Sequence, residues 1–348
     1  MTTFGGALGP YLPAVPDGET GERRSWIMRL SYQVFNGHID LDTIKRPRRV
    51  NGVEQLMPRG NDDVWQFKVR DGVDVFRFGN PGYRLGYAKD AANSYFVFKT
   101  LREKGVLPQD VRFQISIPMV NSVVRPAIFP DPHDLEKVRP GYEEALAAEL
   151  DAILATIPHK DLAIQWDCAW EVSAVYEGLE GYPAEREIAT HVAPIGRLSK
   201  KIPDDVDIGF HFCFGTFGGW PRFAPADLGR AVELINAAVA AVAAAGHRTA
   251  WVHIPTLDTT DAAFYAPLAK LDVKGARIYI GMIHNMQSFD QRLAVVRQFV
   301  PEFGLAAYCG FGRTPPEELD QVLADHFAAL KRAKAGSAPA SVAPAEAK

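Results

Sequence analysis

The strongest constraint on the fold is the alternation of short apolar runs with longer helical patterns along most of the chain. Eight runs have the character of strands, at residues 4–9, 73–78, 111–117, 162–166, 206–210, 250–254, 276–280 and 304–308. Because strand–helix–strand connections are right-handed, this order predicts a single closed (β/α)₈ barrel of the TIM type, in the α/β class. An open doubly wound sheet is the alternative, but no G-x-G-x-x-G motif follows the first run, so a dinucleotide site has no support.

The 348 residues are enough for one such barrel, which takes about 250 residues or more. We predict a barrel over residues 1–333, with a long polar first βα loop at about 36–71. The last segment, 334–348, is rich in Ala and Pro, and this composition predicts a disordered tail.

Charge and cysteine content narrow the class of protein. A formal net charge of −4 gives no basic field for nucleic acid or an anionic membrane. No apolar run approaches the roughly 20 residues that span a bilayer, and the start lacks the pattern of a signal peptide. Three cysteines cannot form a disulfide framework. We therefore expect a cytoplasmic protein that binds a small molecule; a homo-oligomer is compatible with the sequence.

Reactive side chains cluster at the predicted carboxyl ends of the later strands, where barrel enzymes carry their chemistry. His211 and Cys213 end the fifth strand, His253 lies on the sixth, His284 follows the seventh, and Cys309 follows the eighth. Residues two apart in a strand face the same side, and thiolates beside an imidazole are typical zinc ligands. The alternative is that both cysteines are small buried residues and His211 is a core histidine.

Four motifs carry a family resemblance: FHFCFGTF, AAYCGFGR, AIQWDCAWE and PDGETGERRSWI. With them, residues 4 to about 330 resemble the zinc-containing C-terminal barrel of cobalamin-independent methionine synthases and their relatives, the epoxyalkane:coenzyme M transferases. The resemblance implies a catalytic zinc ion bound by His211, Cys213 and Cys309. It also implies that Asp167 and Glu19 contact the substrate.

The chain departs from the synthases at several motif positions. Residues 8–13 replace Gly-Ser-Phe-Pro, and His284-Asn285-Met286 replaces the catalytic Asp-Ile-His. Pro255 stands nearest the position of the zinc-ligating glutamate, and His253 has the same strand parity one layer deeper. These differences argue against homocysteine methylation and leave the fourth ligand open. Cys168, next to Asp167, is either that ligand or a buried thiol.

Two reactions and one binding role fit this pattern. In the first, an open zinc site activates a substrate thiol for alkyl or methyl transfer, and His284 handles the proton. In the second, zinc acts as a Lewis acid in a lyase, with His284 or His253 as the base. The third is a non-catalytic binding protein.

Aromatic residues near the predicted barrel mouth favour a flat aromatic substrate; they are Tyr11, Trp166, Trp170, Phe212, Phe214, Phe217 and Trp220. Packing of the barrel top is the alternative role for them. Asp167 would orient the substrate for catalysis. Arg313 would bind a substrate anion or form a salt bridge.

Overall fold

The computed structural model describes residues 1–18, 21–78, 85–176 and 187–335 of the chain. Its strands are β1 (Ala14–Pro16), β2 (Leu41–Lys45), β3 (Gln66–Val69), β4 (Arg112–Pro118), β5 (Leu162–Cys168), β6 (Asp207–Phe212), β7 (Thr249–Pro255), β8 (Arg277–Ile283) and β9 (Gly304–Ala307). Its α-helices are α1 (Thr2–Leu8), α2 (Arg29–Gln33), α3 (Tyr87–Glu103), α4 (Val120–Val123), α5 (Pro132–Thr156), α6 (Trp170–Tyr176), α7 (Ile188–Ser199), α8 (Gly229–Ala244), α9 (Ala262–Tyr265), α10 (Phe289–Val296) and α11 (Leu319–Ala335). Within these ranges, none of the helices has the length and apolarity needed to cross a membrane.

A parallel sheet with strand order β1-β4-β5-β6-β7-β8-β9 forms the centre of the protein. Successive side chains along each strand point to opposite faces of the sheet. On one face, Trp166 of β5 lies beside Phe210 of β6, and the Trp166 indole donates a hydrogen bond to Ser199 Oγ at the end of α7. This face therefore packs against the helices. The opposite face carries the polar row Asp167, His211 and His253, whose members are neighbours in register.

The α/β barrel class is confirmed, but the sheet has seven strands within the described residues instead of eight. Six predicted runs, from 111–117 to 304–308, coincide with β4 to β9. The prediction for residues 4–9 was wrong, because they lie in α1 and in a 3₁₀ turn, and the strand follows at Ala14–Pro16. Gly5 lets this helix pack closely against Leu107, because a Cβ added at Gly5 would lie 2.7 Å from Leu107 Cδ2.

The predicted strand at 73–78 was also wrong, since these residues form no strand and β1 pairs directly with β4. Phe76 and Phe78 instead pack around His38, with Phe76 stacked on the imidazole at 4.4 Å. The apolar alternation in this run therefore reflects burial in a loop. The predicted loop at about 36–71 contains the antiparallel pair β2–β3.

The two ends of the described chain meet. Phe4 of α1 stacks on Phe311, which follows β9, at 5.2 Å between ring centroids, and the His326 ring of α11 packs edge-on against Phe4. These contacts join the first and last segments on one side of the molecule. The helix α11 continues to Ala335, and residues 336–348 of the expected tail lie outside the described residues.

Candidate metal centre

Three predicted ligands meet at one point. Cys213 Sγ lies 3.3 Å from Cys309 Sγ, and Cys309 Sγ lies 3.7 Å from His211 Nε2. All three ligand atoms fall within 4.8 Å of one another. No other group of three or more His, Cys, Asp or Glu with this spacing occurs among the described residues. The three residues can therefore hold a metal ion.

Strand ends bring these residues together. His211 lies on β6, Cys213 directly follows that strand, and Cys309 comes two residues after β9. The backbone N–H of Gly215 donates a hydrogen bond to Cys213 Sγ at 3.2 Å, which fixes one sulfur atom. A left-handed backbone at Gly215, with φ of 82°, makes this turn, and a residue without a Cβ adopts it readily.

His253 lies behind His211 instead of beside the sulfur atoms. The two rings stack with centroids 4.7 Å apart, and their Nδ1 atoms are 2.6 Å apart. The other nitrogen of His253, Nε2, is 2.9 Å from the carbonyl oxygen of Ala307. His253 therefore contacts a candidate ligand without reaching the sulfur pair.

The two thiols form a hydrogen bond that shifts their pKa values in opposite directions. The Cys309 pKa is held well below its usual range, chiefly by its hydrogen bond with Cys213 and further by His211 and Arg313. The Cys213 pKa is raised by the same hydrogen bond and by burial. Cys309 is thus the cysteine of the pair that ionises more readily, and a thiolate is the form that ligates metals.

Asp167 lies on the same face of the sheet, in register with His211. Burial raises the pKa of its carboxyl to about 7, and Gln165 Nε2 donates a hydrogen bond to its Oδ1 at 2.8 Å. A carboxyl with this pKa is only partly ionised at neutral pH, so it can either accept or donate a hydrogen bond to a bound molecule.

A cavity of about 500 Å³ opens beside Cys309. Thr216 lines this cavity, and its Oγ1 lies 3.9 Å from Cys309 Sγ. Arg313 also lines it and donates hydrogen bonds to Thr216 Oγ1 and to the carbonyl of Arg24. The side chain of Thr216 therefore lies between the cavity and Cys309 Sγ.

An aromatic wall forms one side of this cavity. The His284 ring lies parallel to Tyr308 at 5.2 Å between centroids, and Tyr308 stacks on Trp220 at 4.4 Å. Burial lowers the pKa of His284 to about 4, so its imidazole is neutral at physiological pH. Its Nε2 is buried without a hydrogen-bond partner in the described part of the chain, and this nitrogen is the one that can exchange a proton with a bound molecule.

Several residues expected at the mouth lie elsewhere. Trp166 is fully buried against α7 on the helix-facing side of the sheet. Trp170 is also fully buried, between the guanidinium groups of Arg125 and Arg222 at 5.9 and 5.8 Å from its ring centroid. The expectation that both tryptophans stack on substrate does not fit these positions.

Tyr11 and Cys168 also lie away from the centre. Tyr11 precedes β1, where the Lys334 ammonium stands over its ring at 5.2 Å. It therefore lies at the amino end of the strand, opposite the reactive end. Cys168 is fully buried and aligns with Phe212, which matches the role of a buried thiol.

The remaining mouth candidates divide into two groups. Phe212 and Phe214 are completely buried, which agrees with the packing alternative. Phe217 is partly buried against the core, whereas Trp220 lines the cavity. Glu19 lies outside the described residues.

Asp17 is a polar residue of this region that sequence reasoning missed. It directly follows β1, and its carboxylate forms an ion pair with Arg23. Burial raises its pKa, and its charge acts on Asp167. The strand-end rule would have identified Asp17 if the first strand had been placed at Ala14–Pro16.

Comparison with known proteins identifies the fold. No family model matches the sequence, and no curated protein matches it either. Among solved structures, the chain is similar to a B12-independent methionine synthase from Shewanella sp. W3-18-1 in complex with selenomethionine. The TM-score is 0.56, and the match covers 92% of this chain and 81% of that chain at 14% sequence identity. At this identity the likeness shows a methionine-synthase-like fold.

Proposed function

We propose that the protein is a zinc-dependent enzyme that transfers an alkyl or methyl group to a substrate thiol. The observation that carries the proposal is the convergence of His211 Nε2, Cys213 Sγ and Cys309 Sγ within 4.8 Å. A tetrahedral zinc ion has Zn–S bonds of about 2.3 Å and Zn–N bonds of about 2.0 Å, so its ligand atoms are about 3.6–3.8 Å apart. The separation of 3.7 Å from Cys309 Sγ to His211 Nε2 fits such an ion, whereas the sulfurs, at 3.3 Å, would move apart by a few tenths of an ångström to bind it.

Three protein ligands are the number found at catalytic zinc, which keeps a fourth position for water or substrate. When bound, zinc supplies a positive charge that lowers the pKa of a substrate thiol. The cavity supports this proposal because Thr216, which lines it, has its Oγ1 3.9 Å from Cys309 Sγ.

The transfer forms a sulfur–carbon bond and breaks the bond between that carbon and its oxygen or nitrogen. The thiol proton must finish on the departing atom. His284 is the group proposed to hold this proton, because its Nε2 is buried without a partner among the described residues. With a pKa of about 4 the ring is neutral, and its proposed role is to receive the thiol proton and pass it to the leaving group.

Asp167, which is in register with His211, is proposed to orient the substrate, with Glu19 as a second contact. Arg313 is proposed to bind an anionic group of the substrate. Its guanidinium lines the cavity and lowers the pKa of Cys309, so it also favours the thiolate.

Zinc content tests the proposal directly. We expect about one zinc ion per chain by mass spectrometry of the purified, untagged protein, and none in Cys213→Ser or Cys309→Ala. Cys168→Ala is the matched control, because this thiol is buried away from the cluster, and it should keep the metal. Full zinc content in Cys309→Ala would overturn the ligand assignment. A folded wild type that refuses added zinc would favour the binding-protein role.

A zinc-dependent lyase acting on an aromatic substrate is the second candidate. The stack of Trp220, Tyr308 and His284 along the cavity favours it, since such walls suit aryl groups. X-ray absorption at the zinc edge separates the two reactions. Thiol transfer predicts one additional sulfur neighbour when the substrate thiol is added, whereas cleavage of aryl compounds without any such neighbour would indicate the lyase.

A further inference from the structure

His253 contacts the side of His211 that faces away from the sulfur atoms. We propose that His253 is a positioning residue that holds His211 in the Nδ1–H tautomer, the form whose Nε2 can bind a metal ion. The inference rests on the proposed function only for the presence of a metal ion. A residue of β7 would thus orient a candidate metal ligand of β6.

The chain of hydrogen bonds begins at Ala307. Its carbonyl oxygen has only lone pairs to offer, so the His253 Nε2 at 2.9 Å must carry a hydrogen. A neutral imidazole has one N–H, and His253 Nδ1 is then an acceptor. The backbone of β9 therefore determines which nitrogen of His253 accepts.

The hydrogen bond between His253 and His211 then determines which nitrogen of His211 carries the hydrogen. The two Nδ1 atoms are 2.6 Å apart, so one hydrogen lies between them, and His211 is its donor. In this tautomer His211 Nε2, which lies 3.7 Å from Cys309 Sγ, has the lone pair that a metal ion would take. This tautomer is the one that a metal ligand requires.

Packing keeps the two bonds in place. The rings of His211 and His253 stack with an angle of 21° between their planes, and their backbones are direct neighbours in register. Gly281 of β8 leaves room for the bond to Ala307, since a Cβ at this position would lie 2.9 Å from both His253 Nε2 and Ala307 O.

An imidazole acceptor differs in charge from the carboxylates that often orient metal-bound histidines. A neutral His253 adds no negative charge behind His211. Two cysteine thiolates then balance the charge of a divalent ion, and the centre has no net charge. This charge state distinguishes the arrangement from a carboxylate–histidine–zinc triad.

Zinc affinity of three variants tests the proposal, measured by competition with a chromophoric chelator. In His253→Phe the ring remains and the acceptor is lost, and we expect the dissociation constant to rise about 10- to 100-fold. In His253→Asn the Oδ1 atom takes the place of Nδ1 as acceptor, and most of the affinity should return. Trp251→Phe is the control: it lies on β7, two residues before His253, and loses its N–H bond to Gln165 and part of its ring but no contact with His211.

Unchanged affinity in His253→Phe, or an equal loss in the Phe and Asn variants, would overturn the proposal. Nitrogen-15 NMR of histidine-labelled, zinc-loaded wild type provides a test that needs no variant. We expect a neutral His253 protonated on Nε2. A doubly protonated His253, donating to His211 Nδ1, would refute the arrangement. Zinc content of the wild type reports separately on the metal centre, so the two failures are distinguishable.

Discussion

Replacing Gly281 with alanine should destabilise the barrel at the point where β8, β9 and His253 meet. The added Cβ would lie 2.9 Å from Ala307 O, 2.9 Å from His253 Nε2 and 3.1 Å from Tyr308 Cα. Two of these atoms belong to the backbone of the β9 segment, which cannot move without shifting the strand that leads to Cys309. Overpacking of this kind costs about 1–3 kcal/mol.

Thermal unfolding of the metal-free protein measures this cost. At about 2 °C per kcal/mol for a large domain, the melting midpoint should fall by about 2–6 °C. Gly196→Ala is the control, because its Cβ would lie 3.6 Å from Ala241 O and α7 gains helix propensity. A Gly281→Ala midpoint equal to that of the wild type would refute the packing argument. In the folded variant, zinc affinity should also fall, since the His253–Ala307 bond is displaced.

Three further predictions concern separate parts of the molecule. Asp161→Asn should cost about 3 kcal/mol at pH 7, because Arg102 loses a buried partner that accepts hydrogen bonds at 2.8 and 2.6 Å. Because Arg102 lowers the pKa of Asp161, the difference in free energy of unfolding between wild type and variant, measured in urea, should be full above the pKa of Asp161 in the unfolded chain. It should disappear as the pH falls through the pKa of Asp161 in the folded protein. A difference that persists in acid would contradict this. His284→Ala should reduce turnover by about 10²-fold while zinc content by mass spectrometry stays near one per chain, and loss of zinc would place His284 in the metal site. Trp166→Phe should reduce the free energy of unfolding by about 1 kcal/mol through loss of its bond to Ser199 and leave KM unchanged, and an altered KM would show substrate contact.

Strand ends were predictable from the sequence wherever the strands were long and apolar. The run leading to His211 is such a strand, and the run before Cys309 is shorter but equally apolar, so barrel geometry predicted that their ends converge. The parity rule also separated Asp167 from Cys168, and these residues face opposite sides of the sheet in the structure. The candidate metal ligands are thus the part of the site that local sequence patterns define best.

The first part of the chain was harder to predict because local pattern and tertiary packing disagree there. The apolar run at 4–9 forms a helix whose glycines permit close packing, and the strand that follows has only three residues. Tyr11 was consequently assigned to the wrong end of the strand, and Asp17 was missed. The hydrogen bond between His211 and His253 was also invisible, because a contact between strands depends on register.

The short strand β9, with Cys309 two residues beyond it, has a consequence for biosynthesis. The two cysteines are 96 residues apart in the chain, and a nascent polypeptide lacks a complete ligand set until nearly all of the barrel has left the ribosome. Under the proposed function, metal binding would therefore be a late event. An ion bridging these cysteines restrains the last βα unit as a cross-link would, by shortening the loops open to the unfolded chain. We therefore expect that adding a chelator to the zinc-loaded protein would accelerate hydrogen exchange first in β9 and α11. An ion at the proposed site would then stabilise the end of the fold in addition to its role in the proposed chemistry.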